Sequence, residues 1–372
     1  MTKVKIYGAG SIGNHLAHAS RTMGWDVLMC DLDESALLRT KSEIYPQRYG
    51  KWDEAIKLST VKDAPKEGFD VIFIGTPPHT HVSLALDVLR NEKPHVLVVE
   101  KPLCTPSLEG AQELYEASKG PSIVLTGYNH TLCKNTKTAE EFLGRNEIGR
   151  IRTIHAAVQE HWGGIFKAHP WLRGPQDTYC GYSAKGGGAT GEHSHGINIW
   201  QHFANKLNLG KITEVTATMD TVQDGTVDYD RIANIAVRTD KGFYGTIVQD
   251  VVTFPTLKYL RIQGEEGSVE WAVRSDPDHD SVTYHNQGLG PHTFRIPQKR
   301  TDDFLCEVQH IDKLLKGQLT RHDSPIFIER GLDTMLVIAA AYLSNKHKQT
   351  MRIDYSKGYS LAAITPIGGE QK

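Results

Sequence analysis

The sequence predicts an α/β protein: a doubly wound parallel sheet first, then an α+β half built on a large, mostly antiparallel sheet. Three observations carry that expectation. Through the first third, short, continuously apolar segments alternate with amphipathic ones, as buried strands do beside the helices that cover them. Three glycines, Gly8, Gly10 and Gly13, directly follow the first apolar segment. Beyond about Asn129 the pattern changes to the two-residue alternation of strands with one covered face.

In chain order, residues 4–7, 26–30, 71–75, 95–99 and 122–125 read as strands, and 12–23, 34–42, 81–90 and 108–118 as helices. Gly24 stands where a glycine ends the first helix. In the second half, residues 151–158, 211–220, 230–239, 242–252 and 257–273 read as strands, with turns at Asp240-Lys241-Gly242 and Gly264-Glu265-Glu266-Gly267. A glycine- and aromatic-rich stretch over 160–188 interrupts them; in a compact domain such a loop is more often functional than idle. Residues 303–316 and 328–344 close the chain as helices. At 372 residues the chain exceeds one ordinary core. Two domains are expected, 1–128 and 129–372, with the closing helix packing back on the first.

Composition narrows the class. The 42 basic side chains nearly cancel the 44 acidic ones, so no global field recruits nucleic acid or a membrane surface. The opening residues run straight into a strand, without the basic and apolar regions of a signal peptide. The longest apolar run, 335–343, is too short to cross a bilayer. Five scattered cysteines without a C-x-x-C pair signal neither a disulfide framework nor a zinc ribbon. A cytoplasmic location is expected.

The glycine turn sits between a strand and a helix, the context that gives a G-x-G-x-x-G run its meaning. Gly8 allows the tight turn, Gly10 lets a pyrophosphate approach the backbone, and Gly13 permits close helix–strand packing. Ser11 and Ile12, within the turn, belong to the same cofactor-binding set. Asp31, at the end of the second strand, is the expected partner of the adenosine ribose hydroxyls, with Asp33 a rival. No basic residue follows until Arg39, so NAD is favoured over NADP. The first domain is therefore expected to be a dinucleotide-binding Rossmann domain.

Three further segments complete a pattern: Gly75-Thr76-Pro77-Pro78-His79-Thr80-His81, Glu100-Lys101-Pro102 and Gly127-Tyr128-Asn129-His130. With the glycine turn they resemble the Gfo/Idh/MocA family of glucose–fructose oxidoreductases, inositol dehydrogenases and related sugar dehydrogenases. The resemblance spans most of the chain. It implies that Thr76, Pro77 and His81 lie along the cofactor near its nicotinamide end, and that Lys101 binds the substrate hydroxyl and relays its proton. It implies that Glu100 and Pro102 shape the nicotinamide pocket, and that Asn129 closes over cofactor and substrate. It also implies that the second domain binds a sugar, nucleotide sugar or cyclitol and forms a homodimer or homotetramer. The reaction implied is NAD(P)-dependent hydride transfer at a secondary alcohol. On such a fold the alternatives are a redox-neutral NAD-dependent glycosidase and a non-enzymatic sugar or NAD sensor.

The family's second catalytic piece is an Asp and a His four residues apart after a glycine pair. Here the run is Gly186-Gly187-Gly188-Ala189-Thr190-Gly191-Glu192-His193-Ser194-His195, which departs from that form. His195 is expected to be the general acid/base, because imidazole titrates near neutrality. Glu192 is the orienting or substrate-binding carboxylate, and His193 joins the substrate set. On one helix Glu192 and His195, three apart, would share a face. H-x-H does not put both imidazoles on one helix face as zinc helices do, so no metal is expected. Upstream, Trp171 and Arg173 are candidate substrate contacts, an aromatic for a sugar face and a guanidinium for an anionic group.

Overall fold

The computed structural model describes residues 1–167, 169 and 171–368, which form sixteen strands in two sheets. The chain divides into two compact units. The first holds Met1–Cys104, Glu113–Asn129 and Arg300–Gly331; the second holds Thr105–Gln112, His130–Lys299 and the chain from Leu332 onward.

The first unit is built on β1 (Lys3–Tyr7), β2 (Asp26–Asp31), β3 (Ile56–Thr60), β4 (Val71–Ile74), β5 (Val96–Val99) and β6 (Ile123–Thr126), in the order β3-β2-β1-β4-β5-β6. All pairings are parallel. β4 and β5 are buried at every residue, which is why they read as uninterrupted apolar runs. Helices α1 (Ser11–Thr22), α2 (Glu34–Arg39), α3 (Tyr45–Tyr49), α4 (His81–Asn91) and α5 (Ala111–Ala117) follow the strands. Edge strand β3 went unread because its half-exposed sequence, IKLST, carries little apolar signal. The helix expected over 34–42 continues to Tyr49 through a π turn at Thr40–Ile44. That turn accommodates Pro46, which lacks an N–H, and presses Thr40 against the glycine turn, where its hydroxyl donates to the Ala9 carbonyl.

β1 also buries a charge. Lys5 Nζ meets Glu92 Oε2 at 2.7 Å and the Pro65 carbonyl at 2.8 Å, with both side chains 1% exposed.

The second unit carries α6 (Lys134–Gly144), β7 (Ile151–Gln159), α7 (Trp162–Lys167), α8 (Gly188–Glu192) and α9 (His195–Lys206). Strands β8 (Ile212–Asp224), β9 (Val227–Thr239), β10 (Tyr244–Asp250), β11 (Leu257–Gly264), β12 (Gly267–Asp276), β13 (His279–Asn286) and β14 (Leu289–Pro297) follow. After α10 (Arg300–Leu315) and α11 (Ile328–His347) come β15 (Met351–Ile353) and β16 (Ile364–Pro366). The ten-stranded sheet runs β14-β13-β12-β11-β7-β10-β9-β8-β15-β16. Its pairings are antiparallel except β7 with β10. β9 alternates buried and exposed residues, the mark of one covered face. α11 locks onto β8, with Ala217 N donating to Ser344 Oγ at 2.9 Å and Met219 N to Asn345 Oδ1 at 3.1 Å. The mainly polar β13 and β14 and the three-residue β15 and β16 went unread. No helix among the described residues is long and apolar enough to cross a membrane.

α10 belongs to the first unit. It packs on α1, where Phe304 stacks on His15 with ring centroids 4.7 Å apart.

Candidate functional site

Within the first unit the glycine turn has the geometry its spacing asks for. Gly8 has φ +106°, and a Cβ there would lie 2.7 Å from the Gly75 carbonyl oxygen. A Cβ on Gly13 would lie 1.9 Å from the Gly8 oxygen, so helix and strand pack where only glycine fits. A Cβ on Gly10 would meet nothing within 4 Å, leaving open the direction from which a pyrophosphate reaches the backbone. α1 starts at Ser11 with Gly10 as its N-cap, no side-chain cap and no acid in its first turn, so its dipole and first N–H groups suit an anion. The residues present fit a dinucleotide.

Asp31 sits at the end of β2. Its Oδ2 accepts from Ala9 N at 2.7 Å and its Oδ1 from Asp33 N at 3.0 Å. The rival Asp33 is committed elsewhere: it caps α2, accepting from Ser35 N at 2.8 Å and Ser35 Oγ at 2.6 Å. Those bonds hold its carboxyl below the usual range.

The strand-end segments, the third of them as far as Asn129, lie in the same unit. Gly75 N donates to the Tyr7 carbonyl and Glu100 N to the Ile74 carbonyl, tying β1, β4 and β5 together at their C-terminal ends. His81 is fully buried, with Nε2 2.7 Å from the Thr76 carbonyl and Nδ1 3.0 Å from the Pro102 carbonyl. Burial pushes its pKa down to about 4 against those two bonds. As a neutral ring it has one N–H, which the nearer Thr76 carbonyl takes. His81 thus anchors the Thr76-Pro77 turn through that one bond, while Nδ1 faces the Pro102 carbonyl oxygen without a proton to donate. Thr76 Oγ1 lies 2.7 Å from Thr80 Oγ1, and Pro77 caps the short turn before α4.

Glu100 is 5% exposed, and its Oε2 accepts from Lys101 N at 3.3 Å; Lys101-Pro102 is a cis peptide. A Cβ on Gly127 would come within 2.7 Å of the Glu100 carboxylate, so this glycine makes the room the acid occupies. Lys101 is half-buried at the strand end, and Asn129, after β6, is 6% exposed. Sequence reading missed Glu307 of α10. It is 0% exposed, and its carboxyl is pushed well above the ordinary range by burial and then by the charge of Glu100. Its helical surroundings read as an ordinary amphipathic stretch.

In the second unit, the histidine run is not one helix. α8 ends at Glu192, His193 and Ser194 form a break, and α9 begins at His195. The expectation that Glu192 and His195 share a helix face is therefore corrected: the backbone leaves helical geometry at His193, so the two residues belong to different helices. Glu192 accepts from Tyr179 OH at 3.0 Å, and Tyr179 is raised well above its ordinary pKa by burial and then by Glu192. His193 is 4% exposed, its carbonyl accepting from Gln249 Nε2. His195 is half-buried and packs on His130, ring centroids 4.3 Å apart. His130 is itself set by Trp271, whose Nε1 donates to Thr136 Oγ1 at 2.9 Å while Thr136 donates to the His130 carbonyl at 2.6 Å.

Beneath α8 lies a second group sequence reading missed. Asp230 of β9 is fully buried, accepting from Thr190 N at 2.7 Å and from the Tyr342 hydroxyl, which also accepts from Thr190 Oγ1 at 2.9 Å. Burial outweighs these donors and pushes its pKa up to about 6. Gly188, at φ +79°, lets the carboxylate in: a Cβ there would lie 1.9 Å from Asp230 Oδ1.

The upstream loop divides by role. Trp162 packs against the buried cluster of Ala189, Tyr229 and Val251. Trp171 stands edge-on to His169 at 5.3 Å. Arg173 is 85% exposed and already paired with Asp177, Nε to Oδ2 at 3.1 Å.

Comparison with known proteins agrees with this architecture. Residues 2–128 match the profile described as "Oxidoreductase family, NAD-binding Rossmann fold", and residues 136–270 match the GFO/IDH/MocA C-terminal domain. Among curated proteins none matches. Similar solved structures include levoglucosan dehydrogenase in complex with NADH and levoglucosan, at 18% identity and TM-score 0.73, covering 94% of this chain and 98% of that one. The WlbA dehydrogenase from Bordetella pertussis, in complex with NADH and UDP-GlcNAcA, is similar at 16% identity and TM-score 0.71, covering 95% and 98%. Aldose-aldose oxidoreductase from Caulobacter crescentus, complexed with glycerol, is similar at 17% identity and TM-score 0.72, covering 95% and 99%. With its Rossmann and C-terminal domains both matched, the chain belongs to the Gfo/Idh/MocA family of NAD-binding oxidoreductases.

Proposed function

We propose that the protein transfers hydride between a secondary alcohol of a sugar, nucleotide sugar or cyclitol and a nicotinamide cofactor. The observation that carries this reading is the placement of Glu100-Lys101-Pro102 at the C-terminal end of β5, in the unit that bears the glycine turn. Ligands of open α/β sheets bind beyond those strand ends. The sugar substrates named for similar structures support the substrate class.

In this reading the glycine turn and Ser11 hold the diphosphate, and Asp31 takes the adenosine ribose hydroxyls. A fixed carboxylate there repels a 2′-phosphate, so NAD is the expected cofactor. When bound, it supplies a hydride acceptor at the nicotinamide ring. Lys101 binds the reacting hydroxyl, and His195 takes its proton as the carbon–hydrogen bond is given up. Glu192 orients the substrate. The sheet of the second unit carries exposed apolar side chains, Tyr244, Leu257 and Phe294, which we assign to a homodimer or homotetramer contact.

The test is a panel of sugars, nucleotide sugars and inositols with NAD or NADP, followed at the NADH absorbance. Stoichiometric NADH release is expected; its absence during turnover would identify a redox-neutral glycosidase. Lys101→Ala should lower turnover by about 10²- to 10⁴-fold, and an unchanged rate would remove Lys101 from the mechanism.

A further inference from the structure

Two arginines of the first unit have no carboxylate partner among the described residues. Arg48 of α3 is half-buried, donating from Nη1 to the Ser11 carbonyl and from Nη2 to Ser11 Oγ, both at 2.8 Å. Arg300 opens α10, its guanidinium 5.8 Å from the Phe304 ring centroid, and that ring stacks on His15 of α1. Burial, and after it the charge of Arg300, holds the Arg48 guanidinium below its usual range against the influence of Tyr49. A partly desolvated cation near a second cation is unfavourable unless an anion completes the set.

The surroundings define that anion. Ser11 is the first residue of α1, whose N-terminus has no acidic or side-chain cap. The neighbouring Gly10 faces open space. Because Ser11 Oγ accepts from Arg48, its own hydrogen is left to donate outward. Two of the five guanidinium donors of Arg48 are spent on Ser11, and the rest remain for a bidentate contact.

We propose that Arg48, supported by Arg300, is the clamp for the cofactor's diphosphate: it fixes Ser11 at the start of α1 and neutralises the pyrophosphate there. The proposal rests on the reading of this unit as a dinucleotide site. It makes a residue of α3, far from the glycine motif in sequence, a determinant of cofactor affinity.

The experiment is titration of the full-length protein with NADH and NADPH, read by nicotinamide fluorescence at low and high salt. Arg48→Ala should weaken NADH binding about 10- to 100-fold, with a flatter salt dependence. Arg48→Lys should recover part of the loss, since lysine keeps the charge without the fork. Arg300→Ala should lose less. Inorganic pyrophosphate should compete with NADH in the wild type and cease to do so in Arg48→Ala. Melting without cofactor separates the clamp from a fold defect: an Arg48→Lys variant with wild-type melting must still bind NADH more weakly than wild type. Equal NADH affinity in wild type and both variants overturns the clamp alone. A loss confined to NADPH would assign Arg48 to a 2′-phosphate and overturn the diphosphate role. Failure of the wild type to bind either dinucleotide would instead overturn the functional reading.

Discussion

His81 in the first unit and Asp230 in the second are both fully buried beneath a segment of the candidate site, and in both desolvation shifts the balance toward the neutral form. One is a base and the other an acid, so they couple to pH with opposite sign. The folded pKa of His81 falls from 6.5 to about 4. The unfolded chain takes up this proton first as pH drops, so the stabilisation is present above 6.5 and lost on acidification. Asp230 rises from 3.8 to about 6. Its stabilisation is full below 3.8 and lost as pH rises through 6, because the folded state keeps a proton that the unfolded state has released. Between those limits the slopes oppose each other. Burial alone does not set the direction of a pH dependence; the charge type of the buried group does.

The largest departure from this pattern is a buried pair that keeps its charges. Lys5→Met should leave the Glu92 carboxylate buried and unmatched, at a cost of about 3–5 kcal/mol, seen as a lower urea midpoint with unchanged slope. Next come the two desolvated groups. Relative to wild type, Asp230→Asn should remove the Asp230 contribution, so that the loss of stability between pH 4 and 6 shrinks by about 3 kcal/mol. His81→Gln should show the reverse, removing about 3 kcal/mol of the wild-type gain in stability between pH 4 and 6.5. Denaturant titrations at several pH values check both, and a profile unchanged by either substitution would sink the comparison. Gly188→Ala adds a Cβ at positive φ against Asp230 and should cost about 1–3 kcal/mol, measurable as a lower melting temperature. Smallest of all, Arg173→Ala breaks only an exposed ion pair and should leave the melting temperature unchanged.

How far the site could be read from sequence follows the range of the interactions involved. Gly8, Gly10 and Gly13 were legible because turn, helix start and close packing are all local demands. Glu192 and His195 were only half legible: their residue types were informative, but nothing local marked the break at His193, whose carbonyl accepts from the distant Gln249. Arg48, Asp230 and Glu307 carried no local signal, since each owes its environment to residues distant in the chain.

By itself, then, the sequence determined the alternation of parallel strands and helices, the anion-binding turn and the strand-end lysine, because hydrophobic period and backbone sterics act over a few residues. Only the tertiary structure decided that α10 joins the first unit, that His81 is buried between the Thr76 and Pro102 carbonyls, and that Asp230 supports α8. Those outcomes depend on desolvation and on hydrogen bonds between distant segments, which exist only once the chain is packed.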